Sequence, residues 1–234
     1  MKKQNKRYKF LRTGLKSENG NVKWEVGVWK MFRGELKMCE AGFHCSVEPY
    51  DAFSFVQGEI LAEVEVRGKS LVEENKEVWS EMRVVKAYRW TKKDSLKLAI
   101  YCAELVLENF ERKFPNDKRP REAIEAAKKV LLEDTAKNRA AARVAARSAE
   151  LAADSAGSAK SAAWSAELAA ESVAESAELA AESAAWAAVS ATDSAGSAAE
   201  STVKKIRRYF RKLVKDLREI EKVKGRKEEN EKTK

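Results

Sequence analysis

The side chains best suited to chemistry in this 234-residue chain crowd into one short stretch, Cys39 to Tyr50. It reads CEAGFHCSVEPY and contains the only histidine, His44, and two of the three cysteines. Two kinds of chemistry could use it. As a metal site, Cys39, His44 and Cys45 supply three ligand types, but a closed zinc site wants four and adjacent His-Cys chelates poorly. No metal is therefore expected. As a nucleotide-handling site, His44, Ser46 and Tyr50 would be the catalytic group, with Glu63 or Glu65 among the remaining polar groups. The simpler reading is structural: Gly42 permits positive φ and His44 caps the loop that follows. That reading is adopted, so no catalytic residue and no cofactor are assigned.

A second concentration lies near the C-terminus, where Lys204, Lys205, Arg207, Arg208, Arg211 and Lys212 form a candidate phosphate-contacting helix. Tyr209 and Phe210 could add stacking. The competing reading is a solvated face on a helix that packs through Ile206, Phe210 and Leu213. Asp216, Glu219 and Glu221 argue against a membrane-surface role. Trp24, Trp29, Trp79 and Trp90 either line a groove or fill a small β core, and the core is expected. Trp164 and Trp186 are candidate binding residues, though wedges between helices is the plainer reading. The chain has no P-loop, no dinucleotide glycine fingerprint, no nucleophile elbow and no second histidine.

The elements around these residues divide in two, an α+β arrangement. VKWEVGVW (22–29), EILAEVEVRG (59–68) and 82–90 show the two-residue alternation of strands, with SENGN (17–21) as a turn. EPYDAFSFV reads as a short helix with Pro49 in its first turn. From Thr91 the period becomes helical. Asp94 or Ser95 caps a helix carrying Leu96, Ala99, Ile100, Ala103, Val106, Leu107 and Phe110, which stops at Phe114-Pro115. A second opens at Pro120 and carries Ala123, Ile124, Ala127, Val130 and Leu131.

Between Arg139 and Thr202, 27 of 64 residues are alanine and none is proline. SAELAA starts at Ser148, Ser165 and Ser176, SAAW at Ser161 and Ser183, and DSAGSA at Asp154 and Asp193. One helix of that length would span roughly 95 Å and would need an equally long partner. Several helices folded back on one another are expected instead, breaking near Gly157 and Gly196, with Trp164, Trp186, Leu151, Leu168 and Leu179 as wedges. A single long helix in a coiled-coil oligomer is the alternative. A last basic helix is expected over 203–223. The domains are then 1–92, 93–202 and a basic helix with its tail at 203–234.

Charge is distributed unevenly around a net of +9. Residues 1–16 carry seven Lys/Arg and no acid, and residues 203–234 carry fourteen against six Asp/Glu. The alanine-rich middle has four basic residues against nine acidic ones. The cationic ends suit nucleic acid, an acidic protein or the anionic middle of a second copy, so a homo-oligomer is among the partners considered. The charged fraction of 35% predicts a soluble chain. No apolar run approaches the roughly 20 residues of a membrane span, since Lys97 and Glu104 interrupt the longest. The basic start has no apolar segment behind it, so no secretory signal is expected. Three cysteines, an odd and sparse set, point to the cytoplasm.

LAIYCAELVLENFERKFPNDKRPREAIEAAKKVL (98–131) resembles a bacterial immunity-protein family, the immunity-5-like group. The match is a helix ending in a P-x-D-x-RPR-x-AIEA link, here Pro115, Asp117, Arg119, Pro120, Arg121, Ala123, Ile124, Glu125 and Ala126, followed by alanine-rich helices. CEAGFHCSVEPYDAFSFV and the following EVEVRG look like a small domain of unknown function found in phage and bacterial proteins. The combined resemblance implies a phage- or prophage-associated, non-enzymatic protein of immunity or anti-defence type. It implies a host or toxin protein as the partner, neutralised by binding. The GFHCS stretch also loosely resembles the ADP-ribosyltransferase pattern, which would imply a nucleotide-dependent transferase. A nucleic-acid-binding accessory role through the basic ends is a further alternative.

Overall fold

In the computed structural model, residues 6–20, 22–155, 160–171, 186–187 and 189–220 are described. An antiparallel sheet comes first. It comprises β1 (Arg7–Leu11), β2 (Lys30–Met31), β3 (Phe43–Cys45), β4 (Ile60–Val72) and β5 (Glu77–Arg89), with α1 (Pro49–Phe55) between β3 and β4. The helices α2 (Lys92–Lys113), α3 (Arg119–Leu132), α4 (Ala136–Ser155), α5 (Lys160–Glu171) and α6 (Ala199–Lys215) follow. The α+β class read from the sequence is the observed one.

β4 and β5 form a long hairpin, registered from Ile60↔Arg89 to Val72↔Glu77, with β1 on the outer side of β4 and β2 and β3 on that of β5. The ladder shifts register between Arg67 and Ser70. Gly68 sits there at φ +84, where a side chain would collide with Ser80 Oγ. The bulge thus needs glycine. Two apolar layers cover the sheet's base. Ile60, Ala62 and Val64 pack with Trp24, Phe43, Met82 and Val84. Leu61 packs on the other side with Phe10, Phe53, Trp90 and α2. Burial on both faces explains why ILAEV carries more apolar residues than simple alternation requires.

Three expected elements differ. No continuous strand forms over 22–29, where only the isolated bridges Lys16↔Lys23 and Val26↔Val84 occur. Gly27 turns the chain at φ +89, and Trp24 is held by its Nε1 donating to Ser17 Oγ at 2.8 Å. The cap of α2 is Thr91, whose side chain accepts from Asp94 N while Asp94 accepts from Thr91 N, a reciprocal capping box. The last helix ends at Lys215 rather than near Val223. The chain then turns back, Arg89 N donating to Arg218 O at 3.1 Å and Ile220 N to Ala87 O at 2.8 Å. Backbone groups at the end of β5 claim these residues before the helix can continue.

The alanine-rich region is several helices, not one. α4 packs on α3 and α5, and α5 on α2 and α3. Ala142, Ala146, Ala149 and Ala152 make the buried stripe of α4, and Ala166, Ala169 and Ala170 that of α5. Methyl-sized contacts let the helix axes approach closely. Such an interface has no gap for an indole, so Trp164 and Trp186, expected as wedges, stay 40% and 50% exposed. Leu168 is buried as expected, and Leu151 is exposed. Gly196 opens a 3-10 turn, Gly196–Ala198, at φ +53. Gly157 and Leu179 lie outside the described residues.

Candidate functional site

His44 lies on β3 opposite Val78, and its Nε2 accepts the backbone N–H of Cys39 at 2.9 Å. The acceptor must be an unprotonated nitrogen. Burial pushes the His44 pKa down, reinforced by the Lys9 and Lys76 ammoniums. The ring thereby closes the 37–41 turn, in which Cys39 sits at φ +64. Ser46 is buried, its backbone paired both ways with Tyr8. Tyr50 is buried in α1 against Phe210, and burial raises its phenol pKa. The three residues of the nucleotide-handling reading thus belong to a turn, a sheet edge and the apolar core. Glu63 accepts from Tyr88 Oη at 3.2 Å, and Glu65 pairs with Arg83.

The three metal-ligand candidates are also divided. Cys45 is buried, its thiol pushed up to about 12 by burial and by Glu77, whereas Cys39 is exposed with Sγ 2.8 Å from Lys76 Nζ. Gly42, at φ +113, leaves no room for a methyl, which would fall 2.5 Å from Val78 Cγ2 and 2.8 Å from Leu36 Cδ2. Gly42→Ala is expected to lower the unfolding free energy by about 1–3 kcal/mol, read from a urea transition. A change within a few tenths would mean the turn yields freely.

The basic helix spends part of its charge inside the protein. Arg207 forks onto Asp51 with both bonds at 3.0 Å, Arg211 onto Glu48 at 2.8 and 2.9 Å, and Lys204 meets Glu200. Arg207 and Arg211 therefore fix α6 across α1. Lys205, Arg208 and Lys212 remain on the exposed side. Tyr209 stacks on Tyr101 at 3.9 Å, and Phe210 is fully buried, so neither ring is presented for stacking on a ligand.

Of the four strand-region tryptophans, Trp24 and Trp90 are core. Trp29 and Trp79 instead line a surface groove with Arg7, Arg67 and Arg83. Arg67 and Arg83 stack over the Trp29 ring at 4.1 and 4.9 Å. Each arginine is also matched by a carboxylate, Arg7 to Glu77, Arg67 to Glu81 and Arg83 to Glu65.

The helical array presents a different surface. Val144 is 67% and Leu151 62% exposed, seven residues apart on α4 and thus on one face. Arg143 and Arg147 are exposed beside them. The residues that sequence reasoning passed over are Val144, Arg143 and Arg147. The sequence carries the signal: a large aliphatic off the stripe of small buried alanines falls on the outer side of the helix.

A family model described as Immunity protein Imm5 matches residues 68–202, more than half of the chain. A second, described as Domain of unknown function (DUF7666), matches residues 5–94. No curated protein and no solved structure matches. Among the described residues, no helix is long and apolar enough to cross a membrane.

Proposed function

The chain belongs to the family of immunity protein Imm5, and from that premise we propose that it neutralises a protein toxin by binding and covering it, without catalysis. The exposed apolar face of α4, inside the matched region, carries the reading. Val144 and Leu151 give a desolvatable centre, and Arg143 and Arg147 a cationic rim that suits an acidic toxin surface. A protein stable on its own gains nothing from two large aliphatics in water, whereas a partner that buries them does. The action is cytoplasmic, and the gene is phage- or prophage-borne, consistent with the phage and bacterial setting of the N-terminal resemblance.

The test is protection. Co-expressed with each of a panel of bacterial toxin domains, the chain should restore growth against one of them and co-elute with it at fixed stoichiometry. Val144→Asp combined with Leu151→Asp, both on the solvent side, should abolish protection while the far-ultraviolet dichroism is unchanged. Undiminished protection by that variant would remove α4 as the contact. Protection without a complex would sink the occlusion mechanism itself.

A further inference from the structure

Lys9 carries its charge in a crowded setting. It sits mid-strand in β1, opposite Ala62, and its Nζ donates to the His44 carbonyl oxygen at 3.1 Å. An ammonium has three donors, and among the described residues no carboxylate pairs with this one. The residue keeps partial exposure, but the surroundings of its ammonium are dense, and burial lowers its pKa. Buried charges in proteins are ordinarily paired or bound to something.

Lys9 lies where two hollows meet, a small one and an open cleft of about 480 Å³. Lys76 lines both, with Nζ 4.5 Å from the Phe55 ring centroid. His44 lies within the field of both ammoniums, which add to burial in lowering its pKa. Phe32, Phe43 and Phe55 supply apolar walls. Of the acids at the rim, Glu18 is engaged by Arg12, and Glu40 is exposed. Two cations converging on a neutral ring, beside aromatic walls, form a receptor for negative charge with an apolar body.

We propose that the cleft between Lys9, His44 and Lys76 binds a small molecule through a phosphate or carboxylate group, its apolar part resting against Phe55. The site lies in the sheet half of the chain and is independent of the α4 face. In this reading the GFHCS stretch shapes a receptor: the His44 carbonyl orients Lys9, and its ring closes the rim turn.

Titration calorimetry on the full chain at matched ionic strength tests this with inorganic phosphate, adenosine monophosphate and benzoate. At least one should bind with a stoichiometry of one. Adenosine monophosphate binding above inorganic phosphate would locate the extra contact on the aromatic walls, and benzoate alone would identify a carboxylate ligand. Affinity should fall about tenfold in Lys9→Met, the loss expected for one charge-assisted hydrogen bond, and several-fold in Lys76→Ala. Absence of binding by all three probes overturns the proposal, as does wild-type affinity in Lys9→Met. If Lys9→Met does not fold, Lys76→Ala decides, and unchanged affinity there overturns it.

Discussion

Phe210→Ala should lower the unfolding free energy by about 3–5 kcal/mol, the range for removing a fully buried phenylalanine. The ring is 0% exposed. It stacks on Trp90 at 4.9 Å with planes 9° apart, and meets Phe53 at 5.4 Å, Tyr50 at 6.0 Å and Phe10 at 6.5 Å. Four aromatic neighbours anchored on β1, α1 and the end of β5 leave little scope for collapse into the gap. The loss therefore belongs at the upper part of the range. Because α6 and α2 share this cluster with the sheet, the variant should also loosen the 216–220 return against β5. Urea denaturation followed by tryptophan fluorescence gives the energy, and amide exchange at Arg89 and Ile220 gives the loosening. A cost near 1 kcal/mol would mean that α6 contributes little to the core.

The second large effect is electrostatic. Arg207→Ala strands the Asp51 carboxylate, whose side chain is 7% exposed. Breaking a buried pair from one side costs about 3–5 kcal/mol, and the 30% exposure of Arg207 places this case near the lower end. Its pH dependence identifies the cause. Burial raises the Asp51 pKa, and the hydrogen bonds and charge of Arg207 oppose that rise. A carboxyl whose folded pKa exceeds its unfolded value favours folding at low pH and loses that contribution as pH rises through the folded pKa. Removing Arg207 removes the opposition, so the folded pKa climbs further. The deficit of Arg207→Ala should thus be largest at neutral pH and shrink on acidification, as Asp51 takes up its proton. Arg211→Ala is the control. Its partner Glu48 lies at the surface, Arg211 is 53% exposed, and the loss should not exceed about 1 kcal/mol. A pH-independent deficit in Arg207→Ala would point to lost packing of the side-chain stem instead.

Much of this architecture is legible in the residues themselves because it rests on local periodicity. Ile60, Ala62, Val64 and Val66 alternate as a strand must, and Leu96 to Phe110 recur as a helix face must. Pro49 and Pro120 mark first turns, and Phe114-Pro115 a stop. These depend on neighbours three or four positions away, which a sequence displays directly. The alanine stripe is equally readable, and so is its folding into several helices, since a lone helix of that length cannot bury its own face.

Tertiary contacts settled what the pattern could not. Seven cations on the last helix look alike in sequence. Only the approach of α1, some 150 positions earlier, commits Arg207 and Arg211 to Asp51 and Glu48 and leaves Lys205, Arg208 and Lys212 outward. Trp164 and Trp186 have the size of wedges, yet beside close-packed alanines they stay about half-exposed. In sequence Phe210 is a candidate for stacking on a ligand, whereas in the fold Phe10, Tyr50, Phe53 and Trp90 surround it. His44 and Ser46, two positions apart, serve different contacts, while Lys9 and Lys76, 67 positions apart, meet around His44. Local periodicity is a property of the covalent chain. A charge's partner and a ring's surroundings depend on which distant segments the burial of apolar surface brings together.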